Sequence, residues 1–155
     1  LNGGLFPEMH RAVLTRKILH SPIGFLFNKA LNKASLRKNF DKVFGVVKAT
    51  DQEIDEFYDV MNYNNGRSNM HRLIKYIRDR REHRERWVGA LQKAEIPIRL
   101  IDGPLDPVSG MHLVEYYNRM IPNPDTVVIE GAGHGPQTEN PEELLKAYFE
   151  FRDRE

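Results

Sequence analysis

The sequence predicts an α/β fold built on parallel strands, preceded by a helix-rich segment. Three observations carry this. Two short runs rich in β-branched residues, Ile98-Arg99-Leu100-Ile101-Asp102 and Thr126-Val127-Val128-Ile129, are each followed by a loop containing glycine. A stretch with helical periodicity separates them, as a β-α-β crossover requires. Both runs are apolar on both faces, the pattern of strands buried in a parallel sheet.

The elements follow in order. Residues 8 to 20 read as a helix of low regularity, ended by Ser21-Pro22. Ile23, Phe27, Ala30, Leu31 and Ala34 then share one helical face. A better-defined helix starts at Thr50, where Thr50 and Glu53 make a capping box. Its stripe is Ile54, Phe57, Tyr58 and Met61, and Asn64-Asn65-Gly66 stops it. From Ser68 to Leu91 the pattern predicts one long helix with Met70, Leu73, Ile74, Ile77, Trp87, Val88 and Leu91 on its stripe, interrupted by Arg81 and Arg84. After the first strand a helix from about Ser109 to Met120 presents Leu113, Tyr116, Tyr117 and Met120, and Pro122-Asn123-Pro124 ends it. The final helix has Asn140 as its cap, Pro141 at the first position and Glu143 at the box position.

Composition narrows the function classes. With 155 residues, 40% of them hydrophobic, one core fits the chain. The 23 basic and 22 acidic side chains give a net charge of +1, which offers no electrostatic case for nucleic acid or an anionic membrane. There is no cysteine, so disulfides and thiol-based metal or redox chemistry are excluded, and a reducing, cytoplasmic setting is expected. No run approaches the roughly 18 apolar residues of a membrane span, and no signal-peptide pattern is present. The segment Arg67 to Arg86 holds eight basic residues against three acidic ones. It is expected to be a solvated helix face paired to the acidic helix 51 to 59, not a nucleic-acid surface. His10, His20, His71, His83 and His112 have no metal-ligand spacing, so no metal is expected.

Chemistry is expected at two loops, DGPLDP at 102 to 107 and GAGHGPQTENP at 131 to 141. In an open parallel sheet, ligands bind outside the carboxyl ends of the strands, which brings both loops to the same edge. Asp106 and His134 are then candidates for an acid-base pair. Alone, Asp106 reads as an Asp-Pro turn and His134 as a surface histidine; the pair in this order carries the inference. Asp102 competes for the acid role, since it too ends the strand.

The order LNGG, a helical insertion, IPIRLIDGPLDP, a helix, TVVIEGAGHGPQTENP and a final helix resembles the C-terminal half of the α/β-hydrolase superfamily, in its haloalkane dehalogenase and epoxide hydrolase branch. The resemblance implies that residues 1–6 end a core strand, 7–93 form a helical cap and 94–155 form the C-terminal part of the core. It assigns Asp106 as the acid that orients the imidazole and His134 as the general base, with no cofactor. It further implies a small hydrophobic substrate, an ester, epoxide or alkyl halide, and makes Tyr58, Tyr63 and Tyr76 candidates by location for cap hydrogen bonds. The family's nucleophile sits in a G-x-S-x-G or G-x-D-x-G elbow, and the sequence contains neither. The chain is therefore expected to be a C-terminal fragment or one chain of a split protein. It would be inactive alone, and partnered by the missing N-terminal half or by self-association. The alternatives are a non-catalytic cap or pseudo-hydrolase binding module, and a subunit that completes its sheet with another chain. Relatives often carry an aromatic residue directly after the histidine; here it is Gly135, which is expected to widen the pocket mouth.

Overall fold

The computed structural model describes residues 4–9, 28 and 31–154. Two strands, β1 (Arg99–Asp102) and β2 (Asp125–Val128), pair in parallel with Arg99 opposite Asp125 and Asp102 opposite Val128. β2 starts one residue earlier than the apolar run suggests, because its first residue serves an ion pair. Arg99 Nε donates to both oxygens of Asp125 at 3.0 Å, and its Nη1 donates to the Ala147 carbonyl at 2.9 Å.

Helices pack on both faces of the pair and bury β1 beyond Arg99, but β2 is only half-buried along its length, which corrects the expectation that both strands are buried. α6 (Met111–Met120) connects the strands, the short α7 (Pro136–Glu139) follows the second loop, and α8 (Pro141–Arg152) closes the described chain. Leu100 packs with Phe6, Val88, Leu113, Val114, Tyr117 and Ile121, whereas its neighbour Ile101 packs with Ile129, Ala132, Leu144 and Ala147. Successive strand residues point to opposite faces, so each apolar position enters a different core. This is why neither run alternates with polar residues.

The helical segment before β1 begins with α1 (Lys33–Val43) and α2 (Asp51–Asn62). α1 is capped by Asn32 and Ser35, which places Leu31 ahead of the helix and corrects the expected continuous face from Ile23 to Ala34. The rest of that face, and all but the start of the helix expected at 8 to 20, lie outside the described residues. Pro7–Met9 form a single 3-10 turn. The Thr50 and Glu53 box is formed as expected, and α2 stops where Asn64 and Asn65 adopt φ of 47° and 59°. Asparagine tolerates that left-handed backbone. α1 and α2 bury Phe44, Ala49 and Ile54 between them.

The long helix expected from Ser68 to Leu91 is instead α3 (Met70–Leu73), α4 (Tyr76–Glu82) and α5 (Arg84–Gln92), broken at Ile74-Lys75 and at His83. Breaking at His83 lets Val88 enter the core while Arg84 reaches Glu8. Arg84 Nε lies 3.1 Å from both Glu8 oxygens, and the Tyr116 hydroxyl donates to Glu8 Oε1 at 2.9 Å. The Arg84 hydrogen bonds outweigh partial burial and hold Glu8 at about 2. The expected pairing of the basic segment with the acidic helix is corrected too. α2 spends Asp51 on Arg37 and Asp55 on Lys33, both from α1, because α1 is the helix packed beside it. Among the described residues no helix is long and apolar enough to cross a membrane.

Candidate active site

Asp102 ends β1, and the chain then turns through Gly103 to Gly110 before α6 begins. Asp106 sits inside that turn and shapes it. Its Oδ1 accepts from the Val108 amide at 2.8 Å, and Oδ2 accepts from the Ser109 amide at 3.1 Å and the Ser109 hydroxyl at 2.7 Å. An aspartate whose side chain accepts from amides two and three residues ahead is the usual device for tightening a turn. That accounts for the Asp-Pro-x-Ser spacing.

The second loop leaves β2 through Gly131, whose φ of 76° is a conformation that favours glycine. It carries His134 back over the first loop, with Nδ1 2.8 Å from Asp106 Oδ2. The two candidates predicted from the sequence are thus brought into direct contact. The Asp106 carboxyl is buried while the imidazole is 39% exposed. Burial alone would raise the Asp106 pKa. The hydrogen bond and charge of His134, with the Val108 amide and Ser109, overcome it and hold the carboxyl at about 2. A carboxylate on Nδ1 keeps the proton there and leaves Nε2 as the free base, directed away from the acid.

Asp102 does not join the pair. It is fully buried, and neither of its oxygens finds a hydrogen-bond partner among the described residues. Burial, then the charge of Asp106, raises it to about 7. Two carboxyls four residues apart therefore take opposite protonation states in weakly acidic solution, one set by donors and the other by their lack.

The helical segment abuts the histidine loop. The His134 amide donates to the Val43 carbonyl at 2.9 Å, and the Val46 amide to the Gly131 carbonyl at 2.8 Å. The ring of Phe44 lies against Gly135, so that a Cβ there would stand 3.1 Å from Phe44 Cε1. The expectation that Gly135 widens the mouth is corrected on this side, because an aromatic ring from elsewhere in the chain occupies the space. Sequence reasoning also missed Glu139, which is buried against this loop. Its signal was an acid five residues past the histidine, inside a stretch with no other charge. Tyr58, Tyr63 and Tyr76 are not drawn to the pair. Tyr58 accepts from Arg67, Tyr76 underlies the Arg80 guanidinium, and Tyr63 is exposed.

Two surface grooves, of about 440 and 290 Å³, lie between β2 and α8 and around the residues leading into β1. Neither is lined by Asp106 or His134. Neither has a histidine on its walls, so the contact between Asp106 and His134 is the better candidate site. Among the described residues no cluster of His, Asp and Glu could hold a metal ion.

No family model matches the chain. It is 35% identical to mesoderm-specific transcript protein of Mus musculus over 97% of its own length and 46% of that protein. It is 29% identical to LipZ of Mycobacterium tuberculosis, named as a hydrolase, over 96% of its length and 51% of that protein. The chain thus spans about half the length of the curated relatives it matches. Among solved structures, a haloalkane dehalogenase loop variant from Bradyrhizobium elkanii superposes with a TM-score of 0.69 at 12% identity, covering 91% of this chain and 52% of that one. The parallel strands, flanking helices and two loops of this chain match the C-terminal half of α/β-hydrolase structures.

Proposed function

We propose that this chain supplies the acid and the general base of a hydrolase that works through a covalent intermediate. Its nucleophile would come from a segment outside these residues. The observation that carries the reading is the 2.8 Å bond between His134 Nδ1 and a buried, ionised Asp106, with the imidazole open to solvent. Such an imidazole removes a proton at Nε2 from a hydroxyl nucleophile or from water, and the carboxylate stabilises the cation that results. The name of LipZ supports hydrolysis, and a small hydrophobic ester, epoxide or alkyl halide is the substrate class that the sequence resemblance implies. The helices α1 to α5 would act as the cap that excludes water from the intermediate. Partnership with a nucleophile-bearing segment is supported by the chain matching about half of its relatives' length.

The test joins this chain to a nucleophile-bearing N-terminal segment such as its relatives carry and assays small esters, epoxides and haloalkanes. His134→Ala abolishes turnover, and with an aspartate nucleophile a covalent adduct accumulates that mass spectrometry detects. Asp106→Asn loses on the order of 10³ to 10⁴ in kcat by analogy with other triad acids. Normal turnover with alanine at 134 overturns the proposal.

A further inference from the structure

Glu139 is buried, and both of its oxygens are spent on backbone amides. Oε2 accepts from Gly45 at 2.6 Å and from Gly133 at 2.8 Å, while Oε1 accepts from Gly135 at 2.9 Å. Gly133 and Gly135 flank His134. Gly45 belongs to the turn between α1 and α2, forty or more residues before β1. The carboxylate therefore stands where the helical segment meets the histidine loop, bonded to both.

The two backbones are pressed together there. A Cβ on Gly45 would lie 2.1 Å from the Gly131 carbonyl oxygen, and one on Gly133 would lie 2.3 Å from the Val43 oxygen. The neutral bonds from His134 to Val43 and from Val46 to Gly131 run beside the carboxylate. Bonds to a carboxylate are roughly twice as strong as neutral ones. Glu139 is thus the strongest of the ties across this contact.

Asp106 fixes the imidazole at Nδ1 but does not fix the backbone that carries it. A loop with glycine at 131, 133 and 135 has little stiffness of its own. Charge-assisted bonds on either side of the His134 Cα supply what the loop lacks.

We propose that Glu139 is the positioning residue for His134, and that it makes the turn after α1 and the histidine loop open and close as one unit. The positioning stands on geometry; its catalytic meaning rests on the hydrolase reading above. Glu139 acts through the backbone and is not itself a base, since both oxygens are engaged and buried.

The test is NMR on ¹⁵N-labelled protein, comparing wild type with Glu139→Gln. An amide side chain offers one acceptor oxygen, so its NH₂ group must face at least one glycine N–H. In a variant that still melts cooperatively, the downfield His134 Nδ1 proton is expected to broaden or vanish. Exchange of the Gly45, Gly133 and Gly135 amides accelerates together by about tenfold or more. An unchanged Nδ1 proton in the folded variant overturns the proposal. Should the variant not fold, native-state hydrogen exchange of the wild type decides. Opening as a unit gives the three amides a shared stability once intrinsic rates are divided out, and values scattered over more than about tenfold overturn it. Because these measurements read His134 and its amides and not turnover, failure of the hydrolase reading leaves the result interpretable.

Discussion

Replacing Asp102 by asparagine isolates the effect of burying a carboxyl without donors. Asp102 moves from 3.8 to about 7 on folding, through burial first and the charge of Asp106 second. Between those values the folded protein holds a proton that the unfolded chain has released. Stability therefore falls as pH rises through this window and is flat above it. One pKa unit corresponds to about 1.4 kcal/mol, so the full effect is on the order of 4 kcal/mol. From pH 5 to pH 8 the wild type should lose roughly 3 kcal/mol through this group, and Asp102→Asn should not. Whatever the buried amide itself costs is equal at the two pH values and cancels. Urea unfolding of both proteins at each pH measures the difference, which amounts to a midpoint shift of roughly 1 to 3 M. Asp106 and Glu8, both held at about 2, lose their contribution only as pH falls below about 4, so they stay outside the comparison. Wild type and variant changing in parallel, within about 0.5 kcal/mol, would refute the reasoning, because it would mean that Asp102 finds donors in solution.

Four further outcomes follow from the packing. Glu8→Gln should flatten acid unfolding between pH 4.5 and 2, since the depressed carboxylate stabilises above its unfolded pKa and the effect is lost on acidification; solvent screening keeps it below about 1 kcal/mol. Leu113→Ala, at a fully buried position, should cost about 2 to 5 kcal/mol in urea unfolding, and a value under about 1 would mean the α6 face is not packed as described. Thr50→Ala removes the half of the α2 capping box made by the Thr50 hydroxyl, leaving Glu53 to accept from the backbone amide of residue 50, and should cost about 1 kcal/mol, read as a lower urea midpoint with unchanged m-value. Gly135→Ala should destabilise wild type more than it does Phe44→Leu, because the ring it presses on has gone; equal penalties in a double-mutant cycle would place the strain elsewhere.

The strands, the crossover helix, both helix caps and the stop at Asn64-Asn65 were legible in the sequence because each is encoded locally. Asp106 and His134 were legible as a pair because parallel strands deliver their following loops to one edge, and the structure brings them into contact. What was not legible depends on partners distant in sequence. The break at His83 accompanies Arg84 reaching Glu8, 76 residues away. The ion pairs of α2 go to α1 because of a packing choice that periodicity does not express. Glu139 meets Gly45 across 94 residues, and Phe44 fills the space beside Gly135 from outside the motif. Asp102 was weighed as the acid because its position allows the role; the resemblance favoured Asp106, and the lack of hydrogen-bond donors around the buried Asp102 carboxyl separates the two in the structure.

The ion pair at the start of the strands has a consequence for how such a protein can change. Arg99 joins Asp125, the Ala147 carbonyl and the Phe151 ring, and Arg154 adds a third bond to Asp125 at 2.6 Å. All of this gathers at the end of a four-residue strand pair opposite the one that carries Asp102 and the two loops. At about 3.3 Å per residue the two ends stand roughly 10 Å apart, beyond the range at which side-chain changes usually couple. One end can then be reinforced while the other is left free to vary. A lineage, or an engineer, could raise thermal tolerance at Arg99 and Asp125 and explore new specificities at the loops as separate campaigns.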